Sequence, residues 1–193
     1  GLIRPIGQFV IKNALLHLHA MDNQSDTRYS LTINLSPRQL QDETFVEFLR
    51  NQLVYFSIDP GRIILEITEN SLMENNIRNE KKLEEIREVG CLIAIDDFGT
   101  GCSSLSYLRR LAVDILKIDQ AFIQRVPNDE ADSKLIRGII NMSRELGIAV
   151  IAEGVEKKSQ YDFLVENGCD MAQGFYFSKP VKAELIHENM INF

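Results

Sequence analysis

The chain has 193 residues, of which 45% are hydrophobic and 25% are charged, and its formal net charge is −7. This length and composition are sufficient for one sizeable hydrophobic core. The negative charge argues against a surface that binds nucleic-acid polymers, because their phosphates need basic partners. No apolar run reaches the roughly 18 residues of a membrane-spanning helix, so we expect no membrane segment in this chain.

The predicted elements alternate between helices and short buried strands. Residues 8–18 carry apolar side chains at helical spacing and form the first predicted helix. Six apolar runs follow, at residues 30–33, 62–65, 92–95, 114–116, 148–152 and, more weakly, 169–172. Helical stretches lie at residues 37–55, 79–89, 131–146 and 159–167. Three of these helices run into Gly90, Gly147 and Gly168, and glycine favours the left-handed end of a helix.

Strands that alternate with helices predict a mostly parallel sheet covered by helices. We predict an α/β fold of the TIM-type (β/α) barrel class, incomplete, with about six of the eight strands present. A doubly wound open sheet is the structural alternative. The first predicted element is a helix without a strand before it, so we expect missing sequence upstream. An unclosed sheet exposes its edges, and we therefore expect a homo-oligomer or a distorted, partly open barrel.

Polar residues follow the predicted strands at their carboxyl ends, where parallel α/β proteins place their chemistry. They are Asn34, Glu66, Asp96, Asp97, Lys117, Glu153 and Gln173. The adjacent carboxylates of Asp96 and Asp97 repel each other, so both stay ionised only near cations. Oxygen ligands suit Mg²⁺ or Mn²⁺. The structural alternatives are an Asx turn in which Asp97 caps the next helix, and an ion pair of Lys117 with Asp119 or Asp96.

Six short motifs occur in a fixed order along the chain. They are NLSP at 34–37, EITE at 66–69, DDFGTG at 96–101, LKID at 116–119, AEGVE at 152–156 and QGF at 173–175. Together they resemble the EAL domain, the bacterial phosphodiesterase family that linearises cyclic di-GMP to pGpG. The resemblance extends from residue 1 to about residue 180 and implies that residues 1–193 are a single EAL-like domain.

The resemblance also implies a metal-dependent site with two Mg²⁺ or Mn²⁺ ions. The residues that match the family's metal ligands are Asn34, Glu66, Asp96, Asp97 and Glu153, with Asp96 bridging the ions. Lys117 is expected to orient the attacking water, and Glu153 is also a candidate base. Glu69 is expected to hold a mobile loop, residues 97–105, over the metals. Ligand contacts are expected from Glu156 and Gln173. Phe175 and Pro180 are candidates for stacking on a guanine base, although aromatic residues at strand ends more often pack in the core, which we favour for Phe175.

The Glu-Ala-Leu motif that names the family is absent, and we expect it upstream of residue 1 together with two strands. Its glutamate is a metal ligand in the family, so metal binding should be weakened and this piece impaired or inactive. Cys102 replaces the aromatic residue usual in the mobile loop. The alternative functions are a non-catalytic cyclic di-GMP receptor or scaffold, and a metal-assisted barrel acting on a small phosphorylated metabolite.

The resemblance makes cyclic di-GMP the expected partner and a fused diguanylate cyclase or sensory domain upstream a further expectation. The three cysteines are an odd number without metal-type spacing, which is typical of a reducing compartment. We therefore expect the bacterial cytoplasm, with tethering through domains outside this chain.

Overall fold

A computed structural model describes residues 2–24, 27–73, 76–99, 108, 111 and 113–186, without the side chains of residues 72, 73, 76, 77 and 184. The predicted loop beyond Gly99, with Cys102, lies outside these residues. The chain divides into two compact units. The first comprises Gly1–Ile95 and Ser103–Val113, and the second comprises Asp96–Cys102 and Asp114–Phe193. The prediction that residues 1–193 form one domain stays a prediction.

The first unit holds two complete strands and the beginning of a third, with helices between them. Strands β1, β2 and β3 are neighbours in that order, and β1 and β2 are parallel. The elements of this unit are α1 (Ile3–Asp22), β1 (Leu31–Asn34), α2 (Pro37–Leu40), α3 (Phe45–Phe56), a 3₁₀ turn (Pro60–Arg62), β2 (Ile63–Thr68), α4 (Glu69–Met73), α5 (Asn76–Val89) and β3 (Leu92–Phe98), whose last three residues belong to the second unit.

Apolar side chains at helical spacing explain how α1 packs in this unit. Gly7, Ile11, Leu15 and Leu18 are its buried residues, four or three positions apart, so they form one stripe along the helix. The helix extends beyond the predicted residues 8–18 at both ends. No helix within the described ranges is long and apolar enough to cross a membrane.

The second unit contains the end of β3 and three further strands. Strands β4, β5 and β6 are neighbours in that order, and both pairs are parallel. The elements are β4 (Ile115–Ile118), α6 (Gln120–Ile123), α7 (Glu130–Leu146), β5 (Ala149–Ala152), α8 (Lys158–Glu166), β6 (Met171–Ala172) and a 3₁₀ turn (Ala183–Leu185). Ile136, Ile139 and Ile140 form the buried apolar face of α7. The sequence pattern also predicts Leu135 and Leu146 on this face, which is wrong, because they are 42% and 40% exposed.

All six predicted strands are present, and the glycines at the ends of three helices have the positive φ angles that the sequence predicted. The prediction of one continuous helical stretch over residues 37–55 is wrong. Asp42 interrupts it, because its carboxylate accepts hydrogen bonds from the amide and the hydroxyl of Thr44 at 3.0 and 2.9 Å. A side chain that satisfies the local main chain in this way competes with helix formation. The short helices α4 and α6 were not predicted.

Candidate active site

Two adjacent carboxylates lie just before the last residue of strand β3. Leu92–Ile95 is an apolar run in which Ile93, Ala94 and Ile95 are buried, and Asp96 and Asp97 follow directly. Asp97 has a positive φ of 56°, and its amide donates to Oδ1 of Asp96 at 3.1 Å. Asp96 and Asp97 therefore lie within the strand and not after it, so β3 extends further than predicted.

Lys117 is a buried cation on strand β4, all four residues of which are buried. Its side chain is 4% exposed, and its Nζ lies 3.1 Å from Oδ1 of Asp96 and 2.6 Å from Oε1 of Glu153. A buried ammonium group is stable only when charged partners replace its hydration. The predicted alternative, an ion pair with Asp96, is therefore present, and Glu153 is a second partner. Lys117 lies inside the strand, whereas the sequence placed it after the strand.

Glu153 reaches this lysine because it follows strand β5 directly. The amide of Glu153 donates to the carbonyl of Ile118 at 3.1 Å, which extends the parallel pairing of β4 and β5 by one residue. In this register Lys117 is level with Ile151, and Glu153 lies two residues further along the chain on the same face, because side chains alternate between faces. The long side chain of Lys117 spans this offset and reaches the carboxylate of Glu153.

The carboxylates of Asp96, Asp97 and Glu153 form a cluster that could hold a metal ion. One oxygen atom from each lies within 4.8 Å of the others. Burial raises the pKa of Asp97, and repulsion from Asp96 and Asp119 raises it further. Burial also raises the pKa of Glu153, although Lys117 opposes the effect. Three carboxylates with one ammonium group leave excess negative charge, so the donor set fits a hard divalent cation.

A half-open cavity of about 280 Å³ adjoins this cluster. Predicted site residues supply much of its lining, including Asp97, Glu153, Glu156, Gln173 and Phe175. Pro180 is exposed and is not among the described residues that line the cavity. Phe175 is 57% exposed, so the expectation that its ring packs in the core is wrong, and the ring is accessible. The cavity therefore combines carboxylates, an amide and an exposed aromatic ring.

Two glycines allow the segments around the cavity to approach each other closely. A Cβ atom on Gly154, whose φ is +69°, would lie 2.5 Å from Cβ of Gln120. A Cβ atom on Gly174 would overlap the main chain of Val155. Main-chain hydrogen bonds keep Gly174 close to Val155. The amide of Gln173 donates to the carbonyl of Ala152 at 2.8 Å, and the amide of Val155 donates to the carbonyl of Gln173 at 3.0 Å. A side chain at position 174 would push Gln173 and Phe175 away from the segment of residues 153–156, and one at position 154 would push Gln120 away from it.

Three other predicted site residues lie in the first unit. Asn34 and Glu66 are partners in the parallel register of β1 and β2, at the carboxyl ends of these strands. The side chain of Glu66 is buried, and Asn34 is exposed beside a separate cavity of about 380 Å³. Glu69 is 2% exposed and begins α4. The structure therefore brings Asn34 and Glu66 together in one unit, and Asp96, Asp97, Lys117 and Glu153 together in the other.

Comparison with known proteins identifies the family. Residues 1–180 match the EAL domain. This chain belongs to the EAL domain family. It is 37% identical over 184 residues to the bifunctional diguanylate cyclase/cyclic di-GMP phosphodiesterase MucR of Pseudomonas aeruginosa, across 95% of this chain and 27% of that protein. The cyclic di-GMP phosphodiesterase NbdA of the same species is 36% identical over 188 residues, across 97% of this chain and 24% of that protein.

A solved structure gives the same result. The PaMucR phosphodiesterase in complex with c-di-GMP superposes with a TM-score of 0.91 at 36% identity, across 96% of this chain and 75% of that chain. This match confirms the predicted fold class, the α/β architecture of the TIM-like EAL barrels. The chain spans about a quarter of the length of the two curated relatives.

Several residues around the cavity of this EAL domain chain were not predicted to line it, and Asp119 was expected only as an alternative ion-pair partner of Lys117. Asp119 and Gln120 line the cavity, and Asp119 also caps α6 by accepting from the amide of Ala121 at 2.7 Å. Their position after strand β4 was the available signal, because Asp119 directly follows the buried run Ile115–Ile118. The prediction instead ended that strand before Lys117. Gly154, Gly174 and Gln160 were also missed, because their roles depend on contacts between segments distant in sequence.

Proposed function

We propose that this chain is the catalytic part of a metal-dependent cyclic di-GMP phosphodiesterase, which hydrolyses one phosphodiester bond of the ring to give linear pGpG. The buried Lys117 between Asp96 and Glu153, with Asp97 beside them and a cavity adjoining, carries this proposal. Two relatives are named cyclic di-GMP phosphodiesterases, and a solved relative contains the ligand.

Asp96, Asp97 and Glu153 in the second unit, and Asn34 and Glu66 in the first, are each proposed as ligands for Mg²⁺ or Mn²⁺. Bound ions of this kind stabilise charge on phosphoryl oxygens and lower the pKa of water. These residues suit the task chemically, because they offer carboxylate and amide oxygens. Asn34 contributes an oxygen without adding further negative charge.

The side chains around the ions have separate proposed roles. Lys117 keeps the carboxylates of Asp96 and Glu153 in a fixed arrangement and orients the attacking water through its ammonium group. Glu153 is a candidate base, because burial raises the pKa of its carboxyl toward the range in which it can take up a proton. Glu69, which is buried at the start of α4, is proposed to be required for activity.

The residues around the cavity are proposed to bind the dinucleotide. Glu156 and Gln173 line the cavity and offer hydrogen-bonding groups to a bound nucleotide or water. The exposed ring of Phe175 offers a face on which a guanine base can stack, as aromatic side chains do with nucleobases. Pro180 is proposed to extend this apolar contact from the neighbouring segment.

We further propose that the protein acts in the bacterial cytoplasm, either free or tethered through other domains, as a homo-oligomer. A fused diguanylate cyclase or sensory domain is part of this proposal, because MucR is described as bifunctional. The free thiols of Cys91 and Cys169 are in keeping with a reducing compartment.

The decisive experiment measures turnover and binding in parallel. The protein is incubated with cyclic di-GMP and either Mg²⁺ or Mn²⁺, the products are separated by chromatography, and binding is measured by calorimetry. We expect pGpG to form with either ion, at the reduced rate predicted for a chain without the glutamate of the Glu-Ala-Leu motif, and its formation to stop when a chelator removes the ion. Tight binding without pGpG would contradict hydrolysis and indicate a receptor. Absence of both binding and turnover would contradict the proposal as a whole.

A further inference from the structure

Gln160 is a buried polar residue in the first turn of α8, and the proposed mechanism does not use it. It is 2% exposed. Its Oε1 accepts hydrogen bonds from the amides of Glu156 at 2.8 Å and Lys157 at 2.9 Å. Its Nε2 donates to the carbonyl of Ile123 at 3.0 Å. A buried amide side chain needs such partners, because leaving its polar groups unpaired costs free energy.

The three hydrogen bonds connect two segments that line the cavity. Glu156 lines it directly, at the end of the segment that begins at Glu153. Ile123 ends helix α6, whose first residue, Gln120, lines the cavity together with Asp119. Gln160 and Ile123 are 37 positions apart in sequence, so this is a tertiary contact and not part of a local turn.

The same two segments touch at a second point, beside the cavity, where Gly154 meets Gln120 without room for a side chain. The carboxylate cluster has a separate support. Glu153 is held by its amide bond to Ile118 and by the register of β4 and β5. Loss of the contact between Gln160 and Ile123 should therefore displace the lining residues Glu156 and Gln120 more than it displaces Glu153 and Lys117.

We propose that Gln160 is a positioning residue that fixes the distance between α6 and the segment of residues 153–157, and thereby shapes the cavity for its nucleotide ligand. This inference rests on the proposed function for the identity of the ligand, cyclic di-GMP. A helix cap alone requires only the two bonds that Oε1 accepts, because they satisfy amides at the start of α8. The donation from Nε2 to Ile123 is the additional contact that positions the cavity.

Two substitutions separate the cap from the positioning contact. Gln160→Glu keeps an oxygen that can accept from both amides, and these two donors favour the ionised carboxylate. This variant loses the donor to Ile123, so a carboxylate oxygen faces the carbonyl oxygen of Ile123 and the two acceptors repel each other. Gln160→Met has a similar length and removes all three hydrogen bonds. Leu164→Val is the matched control, because Leu164 is 1% exposed on the same helix and lies outside the cavity lining.

The kinetic measurement is KM and kcat for hydrolysis of cyclic di-GMP. We expect Gln160→Glu to raise KM by about tenfold with kcat within about twofold of the wild type, as for loss of one buried hydrogen bond that supports binding. Leu164→Val should lower the melting temperature and leave KM unchanged. A wild-type KM in Gln160→Glu, or an equal rise in KM in Leu164→Val, would overturn the inference and leave Gln160 as a helix cap.

Amide hydrogen exchange tests the same contact without turnover. We expect the amide of Gln124, which donates to Gln120 within α6, to exchange faster in Gln160→Glu than in the wild type. The amides of Glu156 and Lys157 should exchange faster in Gln160→Met only. Unchanged exchange of Gln124 in Gln160→Glu would overturn the positioning role. If the wild type neither binds nor hydrolyses cyclic di-GMP, the proposed function fails, and the exchange result decides on Gln160 separately.

Discussion

At the scale of single residues, Lys117 determines the electrostatics of the second unit. Its side chain is 4% exposed and contacts two carboxylates, that of Asp96 on β3 and that of Glu153 directly after β5. Without this ammonium group, the carboxylates of Asp96 and Glu153 would repel each other in a poorly hydrated environment. Breaking a buried ion pair by removing one partner is strongly destabilising, because the remaining charge keeps its desolvation penalty.

Replacing this lysine should therefore destabilise the metal-free protein. We expect Lys117→Met to lower the free energy of unfolding by about 3–5 kcal/mol, measured by urea denaturation in the presence of a chelator. Lys134→Met is the control, because Lys134 pairs with Glu130 at an exposed site on α7. The control should change stability by less than about 0.5 kcal/mol. Equal effects in the two variants would show that burial of Lys117 is not decisive.

At the scale of elements, close contacts between chain segments shape the candidate active site of the second unit. Gly174 lies against the main chain of Val155, and this approach brings Gln173 and Phe175 to the cavity.

In the first unit, Arg62 connects the 3₁₀ turn before β2 to the end of α1. Its two terminal nitrogens donate to Asp22 at 2.6 and 2.8 Å, and its Nε donates to the carbonyl of Tyr29 at 2.7 Å.

Gly174→Ala should weaken ligand binding, because the new methyl group has to displace the turn that carries Phe175. We expect the Kd for cyclic di-GMP to rise by about tenfold or more, measured by calorimetry, as for loss of a stacking contact worth about 1–3 kcal/mol. The matched control is Gly138→Ala on helix α7, where the added carbon meets no atom within 4 Å. That variant should bind normally and gain about 0.5–1 kcal/mol in stability. Normal binding by Gly174→Ala would contradict the role assigned to this approach.

The ion pair of Asp22 and Arg62 predicts a pH dependence of stability. Hydrogen bonds from Arg62 lower the pKa of Asp22 below its ordinary value, against the opposing effect of burial. The pair therefore stabilises the fold fully above the unfolded pKa of about 3.9, and its contribution is lost as the pH falls through the lower folded pKa.

Asp22→Asn should accordingly lower the free energy of unfolding by about 1–3 kcal/mol at pH 7. The difference from the wild type should shrink as the pH falls below about 4, in urea denaturation measured across this range. Glu43→Gln, which breaks an exposed pair with Arg78, is the control and should have little effect at any pH. A difference between Asp22→Asn and the wild type that is constant with pH would contradict the proposed electrostatic origin.

At the scale of the whole molecule, the sequence predicted the positions of the strands along the chain and most of the carboxylates, because both depend on local patterns. Asp96 and Asp97 were found since they end an apolar run followed by glycine. The pairing of Lys117 with Glu153 depends on the register of β4 and β5, which no local pattern encodes. Gln160 was missed for a similar reason, because a glutamine on an amphipathic helix gives no indication that its partner is Ile123. Helices α4 and α6 are too short to show a helical period.

Divalent cations should stabilise the protein if the carboxylate cluster binds them. At a Mn²⁺ concentration 100 times its Kd, we expect a gain of about 2.7 kcal/mol, seen as a higher melting temperature in scanning calorimetry. Asp96→Asn should abolish most of this gain, because it removes one carboxylate of the cluster. Asp162→Asn, which changes an exposed carboxylate paired with Lys158, should keep the full gain. Equal gains in both variants would place the ion elsewhere.

The ammonium group of Lys117 also bears on how the protein responds when divalent ions are scarce. A counter-charge that is covalently part of the chain cannot diffuse away, so it continues to shield Asp96 and Glu153 after any ion has left. Chelation should then switch off hydrolysis while far-ultraviolet circular dichroism stays that of the native fold. Addition of Mn²⁺ should restore hydrolysis at once, without a refolding delay.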